Sequence, residues 1–142
     1  MILRRFEWHD YCMHAPQITW DSVMLQPKVL VVDDEENILS AFRDFLKKEH
    51  CEMVAASSAE EAMGVLARQH MNLLITDIRL KGASGVTFFM EAKRIHPKLP
   101  VIVITGYPDL ITEEAIKEYG ADFFFLKPLD LEKLRHAIRR CL

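Results

Sequence analysis

Glycine is scarce in this 142-residue sequence, five in all, and none falls in a GxGxxG or GxxxxGK[ST] pattern. A domain that cradles nucleotide phosphates on a glycine-rich loop needs such a pattern, so that class of nucleotide binding is excluded. Cysteine is scarcer still: Cys12, Cys51 and Cys141 are odd in number, scattered, and show no CxxC spacing. This argues against a disulfide framework and makes a reducing cytosol the simplest compartment. No apolar stretch approaches the ~20 residues of a membrane-spanning helix. Arg4 and Arg5 are followed by Glu7, His9 and Asp10 instead of an apolar segment, which argues against a secretory signal. An excess of charge of one sign is also missing: the net charge is −3 and the pI is near 6.1. General binding to nucleic acid or to an anionic membrane therefore has no electrostatic support. The protein is expected to be cytoplasmic.

What is present is an ordinary globular composition, 50% hydrophobic and 27% charged, of a length that suits one domain with an appendage. Residues 28–142 read as five repeats of strand then helix. KVLVV (28–32), NLLIT (72–76), PVIVIT (100–105) and DFFFL (122–126) are nearly continuous apolar runs, as strands covered on both faces require. EMVAAS (52–57) is less apolar and suits a sheet edge. Between the strands, apolar residues recur at helical spacing. The first helix is expected to bury Ile38, Ala41, Phe42, Phe45 and Leu46. The second opens on a Ser58/Glu61 capping box and buries Ala62, Val65 and Leu66. The third, from about Ser84 to Ile95, buries Val86, Phe89 and Met90 and stops at His96-Pro97. The fourth carries Ile111, Ala115, Ile116 and Tyr119 up to Gly120, and the fifth, capped by Asp130, turns Leu131, Leu134, Ile138 and Leu142 inward. This alternation predicts an α/β fold, a parallel sheet with helices on both faces.

Residues 1–27 break the pattern. They hold both tryptophans, Trp8 and Trp20, and the internal Met13 and Met24, without a sustained period. They are expected to be a disordered or weakly ordered extension. The HxxCxH arrangement of His9, Cys12 and His14 lacks a fourth ligand and matches no strong metal-site spacing.

The informative residues stand at the ends of the strands. Asp33 and Asp34 follow the first, Asp77 the third, Thr105 ends the fourth, and Lys127 follows the fifth. In an open parallel sheet these ends share one edge, where ligands bind. Each residue alone has a plain structural explanation: Asp34 could cap a helix, Asp77 begin a turn, Thr105 satisfy backbone groups, and Lys127 be a solvated lysine. Together they make a different case. Carboxylates crowded on one edge repel one another unless a cation offsets them. Mg2+, a hard ion that takes a few carboxylates and fills its shell with water and phosphate oxygens, suits such a set. A carboxylate is also a competent nucleophile toward phosphorus, and a metal with a lysine supplies the neutralisation that phosphoryl transfer needs.

VLVVDDE, LLITDIRLKGASG, VIVITG and FFFLKP together resemble the receiver domain of two-component response regulators, over residues 28–142. The resemblance implies a flavodoxin-like, doubly wound fold with strand order 2-1-3-4-5. It implies that Asp77 is the phosphoryl acceptor and that Asp34, Asp77 and the backbone carbonyl of Arg79 ligate Mg2+, with Asp33 acting through water. Lys127 would pair with one phosphoryl oxygen and Thr105 with another. Phe124 would be the aromatic switch partner of Thr105, and Arg79 and Tyr107 would tune the acyl-phosphate lifetime. A cis peptide between Lys127 and Pro128 is implied as well. The expected donor is a sensor histidine kinase or a histidine phosphotransfer protein. The expected output is a change in the face built by the fourth helix, fifth strand and fifth helix. That face would be read by a target protein or by a second copy after phosphorylation, and no DNA-binding domain is expected after Leu142. Such a domain is a signalling module that phosphorylates and dephosphorylates itself, not an enzyme acting on a separate substrate. One departure is Lys81, where the family usually has proline. Two rival readings are weaker. A haloacid-dehalogenase-type phosphohydrolase would carry its nucleophile after the first strand in DxDx[TV], where this chain has DDEEN. A receiver-like module that is never phosphorylated would have lost a hallmark residue, and all five are present.

Overall fold

The computed structural model describes residues 26–80, 83–107 and 113–142. The expectations for residues 1–25 and for Lys81, Gly82 and Ile111 lie outside the described residues.

Five strands form one parallel sheet: β1 (Lys28–Val32), β2 (Glu52–Ala56), β3 (Leu73–Asp77), β4 (Val101–Thr105) and β5 (Phe123–Leu126), in the order β2-β1-β3-β4-β5. The helices are α1 (Glu36–Lys48), α2 (Ala59–Arg68), α3 (Gly85–Ile95), α4 (Glu113–Glu118) and α5 (Leu131–Cys141). The expected flavodoxin-like fold and strand order are therefore observed, with β2 and β5 at the edges. A two-residue antiparallel ribbon, Arg79–Leu80 with Ala83–Ser84, adds a turn after β3.

Strand side chains alternate between faces, so one apolar run serves two cores. On one face Leu30, Val32, Leu74, Val101 and Val103 meet α2, α3 and Ile116 of α4. On the other, Val29, Val31, Ile75, Ile102 and Ile104 meet α1 and α5. Each fully buried side chain of this size contributes about 1.5–3 kcal/mol, and this burial drives assembly of the sheet.

The helical faces differ in detail from expectation. In α1 Leu39 joins Phe42, Phe45 and Leu46 in the core, Ile38 is half-buried and Ala41 is exposed. In α3 Phe88, Phe89 and Ala92 are buried, Val86 is half-buried against them and Met90 is exposed, so the inward stripe centres on Phe88 and Phe89 instead of Phe89 and Met90. Leu131 and Leu142, at the ends of α5, are exposed, and Ala137 lies between Leu134 and Ile138 in the core. Tyr119 lies past the end of α4 and is exposed, followed by Gly120 at φ 111°. The face of α2 is as expected. Ser58 Oγ accepts from the N–H of Glu61, while the Glu61 carboxylate reaches the N–H and hydroxyl of Ser57. Asp130 caps α5 through the N–H groups of Glu132 and Lys133.

Candidate functional site

The four buried polar residues among those described are Asp33, Thr76, Asp77 and Thr105, and all lie at the C-terminal ends of β1, β3 and β4. The register explains why they meet. Val32 pairs with Thr76 and Asp77 with Ile104, so the polar group that follows or ends each strand is delivered at one level.

Lys127 closes the arrangement from the end of β5. Its backbone N–H donates to the Thr105 carbonyl at 2.8 Å, joining the ends of β4 and β5. Its Nζ donates to Asp33 Oδ2 at 3.0 Å and to Asp77 Oδ2 at 2.8 Å, and lies 3.7 Å from Glu35. The peptide bond from Lys127 to Pro128 is cis. The other Asp77 oxygen, Oδ1, accepts from the N–H of Arg79 at 2.9 Å, and Asp33 Oδ1 accepts from the N–H of Glu35 at 2.9 Å. Both carboxylates are thereby locked at each oxygen.

The electrostatics follow from this burial. Asp33 is fully buried, and desolvation raises its pKa above the ordinary 3.8 despite the Glu35 N–H and the Lys127 ammonium; the charge of Asp77 adds to the rise. For Lys127, burial acts to lower the pKa, but hydrogen bonds to Asp77 and Asp33 and their charges outweigh it and hold the ammonium above its usual range.

Asp34 does not cap α1. The N-cap is Glu35, without a side-chain cap, and Asp34 is exposed. Asp33, Asp34 and Glu35 each offer a carboxylate oxygen within 4.8 Å of the others. Asp33, Glu35 and Asp77 face one ammonium with Asp34 beside them, so the site carries surplus negative charge. A set of hard oxygen donors with unmatched charge fits a divalent cation of the Mg2+ type.

At the mouth of the site the Arg79 guanidinium lies 4.1 Å over the Tyr107 ring. Thr105 Oγ1 accepts from the N–H of Tyr107 at 2.9 Å. Phe124 is half-buried and packs against the core on the α4 side of the sheet.

The structure thus brings together Asp33, Asp34, Asp77 and Lys127. Thr105 is tied to Lys127 through its backbone carbonyl, Arg79 and Tyr107 stack on each other, and Phe124 stands one layer back in the core. Sequence reasoning missed three contributors. Glu35 looks like a solvated helix start. The Thr76 hydroxyl donates to the Asp77 carbonyl at 3.0 Å; a lone hydroxyl in an apolar strand was its signal. A Cβ at Gly85 would lie 2.3 Å from the Asp77 carbonyl oxygen, a close approach that cannot be read from spacing.

Comparison with known proteins agrees with this architecture. Residues 29–139 match the family described as the response regulator receiver domain. The chain belongs to that family. Among curated proteins the receiver is 28% identical over 119 residues to sporulation initiation phosphotransferase F of Bacillus subtilis, covering 84% of this chain and 96% of that protein. It is 34% identical to response regulator protein PilR of Pseudomonas aeruginosa, again over 84% of this chain but only 27% of the relative. Most of the curated relatives it matches are, like PilR, longer proteins of which it spans half or less. Among solved structures it resembles a response regulator receiver domain protein from Clostridium thermocellum, with TM-score 0.76 and 31% identity, covering 81% of this chain and 93% of that one. A receiver protein from Pseudomonas putida gives TM-score 0.74 and 35% identity, covering 82% and 98%. The protein is thus a receiver-family signalling domain of the two-component type. Among the described residues, no helix is long and apolar enough to cross a membrane.

Proposed function

We propose that the receiver accepts a phosphoryl group on Asp77 from the phosphohistidine of a sensor kinase or phosphotransfer protein, in the cytoplasm and with Mg2+. Residues 28–142 form the working domain, and residues 1–27 are an extension to it. The observation that carries this reading is the buried Asp77 carboxylate hydrogen-bonded to Lys127 at 2.8 Å beside a second buried carboxylate.

Asp34, Asp77 and the backbone carbonyl of Arg79 would hold the ion, with Asp33 contributing through water. When bound, Mg2+ neutralises the surplus charge and polarises a phosphoryl oxygen. An Asp77 oxygen attacks phosphorus, a P–O bond forms, and the P–N bond to the donor imidazole breaks. The imidazole nitrogen keeps the electron pair and takes a proton from solvent. Lys127, held between Asp33 and Asp77, shifts its ammonium to a phosphoryl oxygen. The Thr105 hydroxyl accepts from the Tyr107 N–H and donates its O–H to another phosphoryl oxygen. Drawing Thr105 inward opens space that the half-buried Phe124 follows. The change is read on the face of α4, β5 and α5, where Tyr119, Leu126 and Leu131 are exposed.

Reversal is hydrolysis: a water oxygen bonds to phosphorus, the bond from phosphorus to the Asp77 oxygen breaks, and the carboxylate returns. The stacked Arg79 and Tyr107 stand over the approach to Asp77 and slow that water. Arg79→Ala and Tyr107→Ala should each shorten the acyl-phosphate lifetime several-fold, with the double variant little worse than either. Unchanged hydrolysis in both single variants would remove this role.

The deciding experiment incubates the protein with Mg2+ and acetyl phosphate. The expected product is an acid-stable, base-labile adduct on Asp77, absent in Asp77→Asn. No adduct with Mg2+ present would identify a receiver that is not phosphorylated, and rapid turnover of many phosphate esters would identify a hydrolase.

A further inference from the structure

The opposite edge of the sheet carries a second recess. The chain leaving α2 for β3 and the chain leaving α3 for β4 run side by side there and enclose a half-open trough of about 720 Å³. Buried Leu66, Met71 and Leu99 give it an apolar lining, and Ile95 stands exposed at its rim. Arg68, His70, His96 and Lys98 also line it, and no carboxylate does.

Several basic groups of the helices are paired, Arg94 with Glu91, Lys117 with Glu113, Arg135 with Glu49 and Glu132, and Arg139 with Glu49. Among the described residues, none of the four basic groups of the trough has an acidic partner, in a chain whose net charge is −3. The walls are also preformed. Lys93 Nζ donates to the carbonyls of Pro97 at 3.3 Å and Leu99 at 2.7 Å, and the Lys28 N–H donates to Asn72 Oδ1 at 2.9 Å. Little ordering is then left to oppose binding.

We propose that this trough docks an acidic peptide segment of a partner protein. An apolar side chain of the peptide rests against Leu66, Met71 and Leu99, and flanking carboxylates meet Arg68 and Lys98, with His70 and His96 donating N–H groups. A half-open trough suits a passing chain segment better than a small molecule, whose pockets bury ~70–90% of the ligand surface. Because the trough and Asp77 lie at opposite ends of the strands, docking leaves the phosphoacceptor free to react with its donor.

The test titrates the isotopically labelled full chain with a peptide of alternating aspartate and leucine, and follows backbone amide shifts. Saturable shifts confined to Arg68, His70, His96, Lys98 and their neighbours are expected. The double variant Arg68→Glu/Lys98→Glu should weaken binding at least tenfold while phosphorylation by acetyl phosphate stays unchanged. Two parallel titrations use the lysine-leucine counterpart and sodium hexanoate. Absence of saturable shifts, equal binding of the lysine peptide, or binding unaffected by the charge reversal would overturn the proposal. Saturation by hexanoate without binding of the acidic peptide would also overturn it, in favour of a small organic acid.

Discussion

The two ends of the same five strands are built on opposite principles. At the N-terminal edge the strands start on hydrogen bonds near solvent: Lys28 N–H to Asn72 Oδ1, Asn72 N–H to the Lys28 carbonyl, and Val101 N–H to the carboxylate of the exposed Asp122. At the C-terminal edge, less than the length of a strand away, two carboxylates are buried around one ammonium. A fold does not need the second arrangement for stability, because burial of like charges opposes folding unless each is matched. The contrast shows where the domain buries charge ready for chemistry and where it leaves its charged groups at the surface.

The sharpest way to break the comparison is to remove the matching charge. Lys127→Met leaves Asp33 and Asp77 buried, adjacent and unpaired, and should cost roughly 3–5 kcal/mol. Asn72→Ala, which removes one hydrogen bond at the opposite edge, should cost only about 1 kcal/mol. Urea unfolding of both variants measures the difference, and equal losses would end the distinction between the edges. Added Mg2+ should restore part of the stability of Lys127→Met and none of that of Asn72→Ala.

A smaller effect tests the backbone beneath the acceptor. Gly85→Ala would place a Cβ 2.3 Å from the Asp77 carbonyl oxygen and 2.6 Å from the Ile78 backbone. Since backbone cannot swing aside as a flexible side chain does, the start of α3 must shift, at about 1–3 kcal/mol. Asp77 should move with it, so phosphorylation by acetyl phosphate should slow more than the lost stability explains. A variant that is destabilised but phosphorylated at the original rate would confine Gly85 to packing.

Most of this was legible in the sequence, for a physical reason. Runs such as VLVV and VIVI are apolar because both faces are covered, and the first polar residue after each run marks where the strand emerges. That rule located Asp33, Asp77, Thr105 and Lys127 without coordinates. Strand order came only through family resemblance, since spacing cannot say which strand lies beside which. Helix faces were read less well where apolar residues run together: in VTFFM, which of Phe88, Phe89 and Met90 turn inward depends on how the helix packs, and Phe88 is buried while Met90 is exposed. Glu35, Thr76 and Gly85 were missed because their roles depend on approach distances. The stack of Arg79 on Tyr107 joins two loops distant in sequence, and no local pattern encodes it.

The most delicate probe of the two edges is pH. The folded-state pKa of Asp33 lies above its ordinary value. Protonated Asp33 therefore favours the folded state, and this contribution is fully present below about pH 3.9, the unfolded value. It is lost as pH rises through the raised folded value, where the buried carboxyl must ionise. The Lys127 contribution has the same sign but is lost only at strongly alkaline pH, so it does not intrude. Glu49, whose pKa the Arg135 and Arg139 hydrogen bonds lower despite desolvation, acts oppositely and weakens the protein in acid. Comparison with Asp33→Asn cancels that background. In EDTA, the stability of the wild-type chain relative to Asp33→Asn should fall by about 1.4 kcal/mol for each unit by which the folded pKa exceeds the unfolded one. The fall begins above the unfolded value and levels off once the pH has passed the raised folded one. With Mg2+ it should reverse, because the ion favours the ionised carboxylate and adds stability with its concentration. If the difference stays flat in EDTA, burial is not what sets the charge of this edge, and the contrast with the opposite edge rests on Lys127 alone.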